Sequence, residues 1–220
     1  MDIQNWLQNI TVKLRKEFAE RVLFIGYQGS YKRGEATPDS DIDLVVILDY
    51  LTLEDLRVYK GIIRSMPQCE KACGFISGKK ELKNWSRSDM FQFCYETESL
   101  YGDIRTLITP PNRKDIKAAV KSGAEALYHA AVHSYLYNED LPGSLKELYK
   151  MAFFILQAQY FLQHGIYIAT KKALLPLLAN EEQRILETCL SRDRIKDYSP
   201  TQIDEAFAAL ISWCSKIIAK

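Results

Sequence analysis

"GYQGSYKRGEATPDSDIDLVVIL", residues 26–48, is the stretch on which the reading of the fold turns. It sets a Gly29–Ser30 pair ahead of two acids, Asp41 and Asp43, at the mouth of an apolar run, DIDLVVIL, that reads as a buried strand. A carboxylate that leaves water unpaired is strongly disfavoured, so two of them at a strand mouth call for a cation or a dense set of donors. Alternate residues of a strand share a face, which projects Asp41 and Asp43 together while Ile42 and Leu44 turn into packing. Two hard oxygen donors of this kind suit Mg²⁺ or Mn²⁺, and Mg²⁺ takes its remaining ligands from water and from substrate phosphates. The Gly-Ser pair supplies a matching anion site. Gly29 lets the backbone approach a phosphate closely, Ser30 offers a hydroxyl and an N–H where a helix begins, and Lys32 and Arg33 follow to meet further negative charge.

Outward from this stretch, strands and helices mix. Ile3, Trp6, Leu7, Ile10, Leu14 and Phe18 recur at helical spacing, RVLFIGY reads as a central strand, and TLEDLRVYKGIIRSM reads as a covering helix capped by Thr52. ACGFIS and MFQFCYE read as a third and a fourth strand. Pro110, Pro111 and Asn112 interrupt regular structure, and no strand signal follows Lys114. The second half reads as long helices, one with Ser144 at its start and Gly165 at its end, and a last one capped by Ser199 or Thr201. The expected organisation is a mixed α/β domain over residues 1–110 followed by an all-α helical bundle over 111–220.

Composition narrows the function classes. Over 220 residues the formal net charge is only +1, so nothing global draws the chain to nucleic acid or to an acidic membrane. The N-terminal MDIQNWLQNITVKLRKEF lacks the pattern of an export signal and no apolar run is long enough to span a bilayer, which predicts a cytoplasmic protein. The five cysteines are scattered without a CxxC pair and read as reduced thiols. Glu125, His129 and His133 lie one helical turn apart, a spacing that can hold zinc, but no HExxH or further acid accompanies them, and they read as interface or cleft residues.

A strand, Gly-Ser, a spacer of about ten residues and Asp-x-Asp opening the next strand resemble the signature of the DNA-polymerase-beta-like nucleotidyltransferase superfamily, over Val22 to Leu48. The resemblance implies a mixed sheet flanked by helices, a serine that binds nucleotide phosphates and aspartates that hold metal ions. By it, Gly29 and Ser30 bind the triphosphate, with Lys32 and Arg33 beside them, and Asp41 and Asp43 hold Mg²⁺ or Mn²⁺. The family's third carboxylate is expected at Glu96, which alternation in MFQFCYE groups with Gln92 and Cys94, with Glu70 as the competitor; ACGFIS itself carries no acid. Glu96 is also the expected acceptor of the attacking hydroxyl's proton.

The order of the two halves resembles the kanamycin and streptomycin nucleotidyltransferases, and the minimal nucleotidyltransferases paired with HEPN-type helical domains. It implies that ELYKMAFFILQAQYFLQHGIYIATKKAL is the substrate-side segment, with Tyr149, Lys150 and Tyr160 facing a cleft and Thr170, Lys171 or Lys172 closing on the triphosphate or the acceptor. No arginine precedes a histidine at the spacing of the HEPN ribonuclease motif. The implied reaction is transfer of a nucleoside monophosphate from a triphosphate, with ATP as the expected donor, to a hydroxyl of an aminoglycoside-like small molecule or of a protein. The alternative is a nucleotide-binding, antitoxin-like interaction module without turnover. A polynucleotide acceptor is disfavoured, because the helical half has no basic stripe, and the sequence leaves open whether the chain forms a homodimer.

Overall fold

In the computed structural model, which describes residues 2–220, helix α1 (Ile3–Phe18) buries Trp6, Leu7, Ile10, Leu14 and Phe18, the stripe that its periodicity marks out. A short 3₁₀ turn leads into β1 (Val22–Gln28), helix α2 (Gly29–Arg33) and β2 (Ile42–Leu48). Thr52 and Asp55 form a capping box on α3 (Leu53–Arg64), and β3 (Ala72–Gly78), α4 (Lys79–Lys83), α5 (Met90–Glu96) and β4 (Glu98–Tyr101) complete the first unit, which ends at Pro110. The four strands lie in the order β3-β2-β1-β4, with β1 antiparallel to both neighbours and β2 parallel to β3. This is the mixed sheet that the sequence predicts.

Alternation along β2 divides the core between two faces. Ile42, Leu44, Val46 and Leu48 pack with α1 and α3, whereas Val45 and Ile47 pack with Leu82 of α4, Met90 and Phe93 of α5, and Ile104, Leu107 and Ile108. Asp43 stands on the second face, that of α5. The segment MFQFCYE, expected as the fourth strand, is helix α5, and the strand that pairs with β1 is the next four residues, ESLY. Phe91, Phe93 and Tyr95 imitate a strand's alternation, but Met90, Phe93 and Glu96 are buried at a three-residue spacing, which is helical.

Arg21 ties the entry of β1 to the exit of β2. Its guanidinium donates to both oxygens of Asp55 at 2.7 and 3.0 Å, to Asp49 at 3.1 Å and to the Tyr50 carbonyl at 3.0 Å, and it lies 3.9 Å above the Tyr50 ring. The bond from Arg21 holds the Asp55 carboxyl well below the usual carboxylate range, with Thr52 adding further donors. A depressed carboxylate contributes stability that is complete above the unfolded value of about 4 and is lost as pH falls toward the folded one. Asp55→Asn is therefore expected to lower the unfolding free energy by about 1–3 kcal/mol at neutral pH. Urea unfolding at a series of pH values should show this gap closing below about pH 4, where the unfolded carboxyl protonates.

The second unit, Pro111–Lys220, is helical throughout. Asn112 and Asp115 box the start of α6 (Arg113–Tyr137), and Asp140, not Ser144, caps α7 (Leu141–His164), which stops at Gly165. The cap lies earlier because Pro142 sits comfortably in a first turn. Thr170 caps α8 (Lys171–Leu174); α9 (Asn180–Leu190) and α10 (Pro200–Ile218), capped by Ser199, follow. Leu127 and Ala131 of α6, Leu145, Phe153 and Leu156 of α7, Leu186 of α9 and Leu210 and Trp213 of α10 are all nearly inaccessible, as a bundle interior requires.

Candidate active site

The turn between β1 and α2 lies against the start of β2. Gln28 and Asp43 are register partners in the antiparallel ladder, so the residue after Gln28, Gly29, arrives beside the Asp43 side chain. Gly29 has φ +74°, and a Cβ built on it would lie 1.9 Å from Asp43 Oδ2. Only a residue without a side chain leaves that carboxylate where it is. Ser30 follows at the first turn of α2, half-buried. Asp43 is half-buried between the fully buried Ile42 and Leu44, and Asp41, just ahead of β2, is exposed. Gly29 and Asp43 thus share one corner of the first unit with Ser30 next in the chain, and Asp41 precedes Asp43 by two residues, exposed to solvent.

Lys32 and Arg33, expected beside the triphosphate, both reach the end of α5. Lys32 Nζ donates to the Tyr95 carbonyl at 3.1 Å, and Arg33 pairs with Glu96 at 2.6 Å and with Glu35 at 3.1 Å. The side chains of Arg33 and Glu96 are only 7% and 5% exposed. Both cations are therefore engaged with the last turn of α5. Glu96 itself lies on a helix, so the strand alternation that grouped it with Gln92 and Cys94 is corrected along with the strand. Its competitor Glu70 is exposed on a 3₁₀ turn ahead of β3. The residue directly across from Asp43 on β3 is Cys73, exposed, so the neighbouring strand brings a thiol, not an acid, to that position.

Other residues lie around the corner, among them two acids of the sequence, Glu98 and Asp103, and one link that the sequence does not announce. Gln28 donates to Thr97 Oγ1 at 2.5 Å, and that hydroxyl donates to the Phe93 carbonyl at 2.6 Å. Exposed Glu98, at the start of β4, is the register partner of Tyr27. The Tyr27 hydroxyl is raised above its ordinary value first by burial and then by the Glu98 charge. Asp103 follows the other end of β4 and caps a 3₁₀ turn. Pairings between side chains remote in sequence leave no periodic signal, which is why motif and pattern missed the link from Gln28 to Thr97.

In the helical unit, Lys171 is buried, with its ammonium 4.5 Å above the Phe153 ring. Tyr149, expected to face a cleft, is a core residue, 1% exposed, whose hydroxyl donates to the Ala206 carbonyl at 3.0 Å. Lys150 is exposed beside Glu147 at 3.7 Å, and Tyr160 stacks on His164 at 4.3 Å. His129 and His133 lie exposed on α6 with ring centroids 6.1 Å apart. Among the described residues no helix is long and apolar enough to cross a membrane.

No curated protein matches the sequence. Among solved structures, spectinomycin adenyltransferase AAD(9) from Enterococcus faecialis, determined with ATP and spectinomycin, matches over 99% of both chains with a TM-score of 0.62 and 16% identity, a likeness of fold. A toxin-antitoxin structure determined with AMP-PNP covers 59% of this chain and 94% of its own at 19% identity, with a TM-score of 0.33, too loose a superposition to carry an argument. The family model of the nucleotidyltransferase domain matches residues 12–125. That span exceeds half of the 220 residues and takes in every strand of the sheet together with the Gly-Ser turn and the Asp-x-Asp mouth, and the chain therefore belongs to the nucleotidyltransferases of the DNA-polymerase-beta-like superfamily.

Proposed function

We propose that this nucleotidyltransferase moves AMP from ATP to a hydroxyl of a small, polyhydroxylated, cationic acceptor of the aminocyclitol or aminoglycoside class, releasing pyrophosphate. The observation that carries the reading is the left-handed Gly29 turn laid directly against Asp43. It joins an opening for phosphate oxygens, where backbone and Ser30 donors are available, to a carboxylate on the adjoining strand. Likeness to a spectinomycin adenyltransferase over the whole of both chains supports the acceptor class. Exposed Glu98, one register step from Gln28, supports a cationic acceptor.

Asp41 and Asp43 fit a divalent cation. Two carboxylates are what Mg²⁺ commonly takes from protein when phosphates and water complete its shell, and among the described residues no cluster of three or more His, Cys, Asp or Glu forms a self-sufficient metal cage. Bound there, Mg²⁺ or Mn²⁺ supplies charge compensation for the phosphates and acidifies the acceptor hydroxyl. The chain's own residues bind and orient. Gly29 and Ser30 hold the leaving end of the triphosphate. The acceptor oxygen bonds to the α-phosphorus as the bond from that phosphorus to the bridging oxygen breaks, pyrophosphate departs, and the hydroxyl proton is released to the medium.

The test is incubation of the protein with ATP labelled in the α-phosphate, Mg²⁺, and panels of aminocyclitols, aminoglycosides and unrelated polyols. Acceptor-dependent pyrophosphate release with a labelled small-molecule product is the expected result. Pyrophosphate release independent of every small acceptor, with label fixed on polypeptide, would replace the acceptor class by protein.

A further inference from the structure

The buried ion pair between Arg33 and Glu96 is unexplained by the transfer reading. Charged groups this inaccessible are retained in proteins when they fix a geometry, because apolar residues fill the same volume at no electrostatic cost. Here several polar links converge on one five-residue helix. Gln28, its N-cap, is held by Thr97; Lys32 is held by the Tyr95 carbonyl; and Arg33 is held by Glu96 at 2.6 Å and by Glu35 at 3.1 Å. Tyr95, Glu96 and Thr97 are consecutive residues at the end of α5. On its opposite flank the same helix begins with Gly29 against Asp43. A helix of five residues is too short to hold its own shape, so its orientation comes from these anchors together with Tyr31, which packs against the core beside α1.

We infer that Glu96 is a positioning residue for nucleotidyl transfer: through Arg33 it orients α2, and so sets the Gly29–Ser30 turn at the distance from Asp43 that the triphosphate needs. This rests on the proposed transfer and replaces the role that the resemblance implies for Glu96, which then neither holds the cation nor takes the acceptor's proton. The anchoring is electrostatic and bidirectional, so removing either partner should have the same consequence. A general base would give a different pattern, because only the carboxylate, not the arginine, would matter to turnover.

The experiment compares wild type, Glu96→Gln, Arg33→Met and the double variant by calorimetric titration with a non-hydrolysable ATP analogue and Mg²⁺, and by transfer kinetics over pH 5–9. Each single variant is expected to raise the analogue's Kd and the KM for ATP about tenfold, with kcat at saturation within about threefold of wild type, and the double variant to be no worse than the poorer single one. The pH profile should keep its acid limb in Glu96→Gln. Loss of kcat with unchanged KM and loss of that limb in Glu96→Gln alone, with Arg33→Met near wild type, overturns the inference in favour of proton transfer. Equal affinity in all four proteins overturns it too. Should the singles fail to fold, as far-ultraviolet circular dichroism would reveal, Arg33→Lys, which keeps the charge but loses the forked geometry, takes their place with the same expected rise in Kd. Wild type that binds no triphosphate removes the transfer reading itself, a separate outcome from variants that bind as wild type does.

Discussion

Asp43→Asn is expected to reduce nucleotidyl transfer about 10³-fold or more, equivalent to about 4 kcal/mol of transition-state stabilisation. The substitution changes neither volume nor shape, only the charge at the point where the strand meets the Gly29 turn. Asp43 sits inside β2 with fully buried Ile42 and Leu44 on either side, so an isosteric amide leaves the packing of the sheet as it is. The melting temperature is expected to stay within about 4 °C of wild type, the shift that corresponds to about 1 kcal/mol or less in a domain of this size. Activity and stability are thus predicted to separate, which is the mark of a group retained for charge. Steady-state pyrophosphate release beside a thermal melt checks both halves. A variant retaining a tenth of wild-type turnover would sink the assignment of Asp43, whereas a large drop in melting temperature would show that the carboxylate belongs to the fold instead.

How much of this was legible beforehand differs element by element. β1, β2 and α3 were read correctly because their signals are local: an unbroken apolar run, an alternation facing two cores, and a Thr52–Asp55 cap. The Gly-Ser turn and the acid mouth were legible as a motif, since spacing along one chain carries them. MFQFCYE was misread because seven residues offer fewer than two helical turns, and at that length aromatic alternation and a three-residue burial rhythm coexist in the same letters. The engagement of Lys32 and Arg33 was not legible at all. Their proximity to Ser30 in sequence suggested phosphate; the structure adds bonds to Tyr95 and Glu96, more than sixty positions away, which the antiparallel return of β4 beside β1 brings near. Tyr149 was expected at a cleft on the strength of the resemblance alone, whereas it is buried with its hydroxyl on the Ala206 carbonyl, a partner on a helix more than fifty positions away.

Gly29→Ala is expected to lower transfer about 10²-fold or more while costing only about 1–2 kcal/mol of stability. Two penalties are present. The first is the left-handed backbone, φ +74°, which an alanine tolerates at a cost of about 1–2 kcal/mol. The second is contact, because the new Cβ would fall 1.9 Å from Asp43 Oδ2, and one of the two must move. The obstructing atom is the tip of a side chain, so rotation of the carboxylate relieves the clash cheaply in stability, at the expense of the position on which the chemistry depends. Gly34, at the other end of α2, separates the two effects: its φ is +68°, yet nothing lies within 4 Å of a Cβ built there. Gly34→Ala should therefore lose a similar amount of stability and keep transfer within a few-fold of wild type. Parallel urea unfolding and pyrophosphate release on the two variants decide the matter. If both lose activity alike, backbone strain in the turn is responsible; if only Gly29→Ala does, the missing side chain at residue 29 exists to leave room for the carboxylate of Asp43.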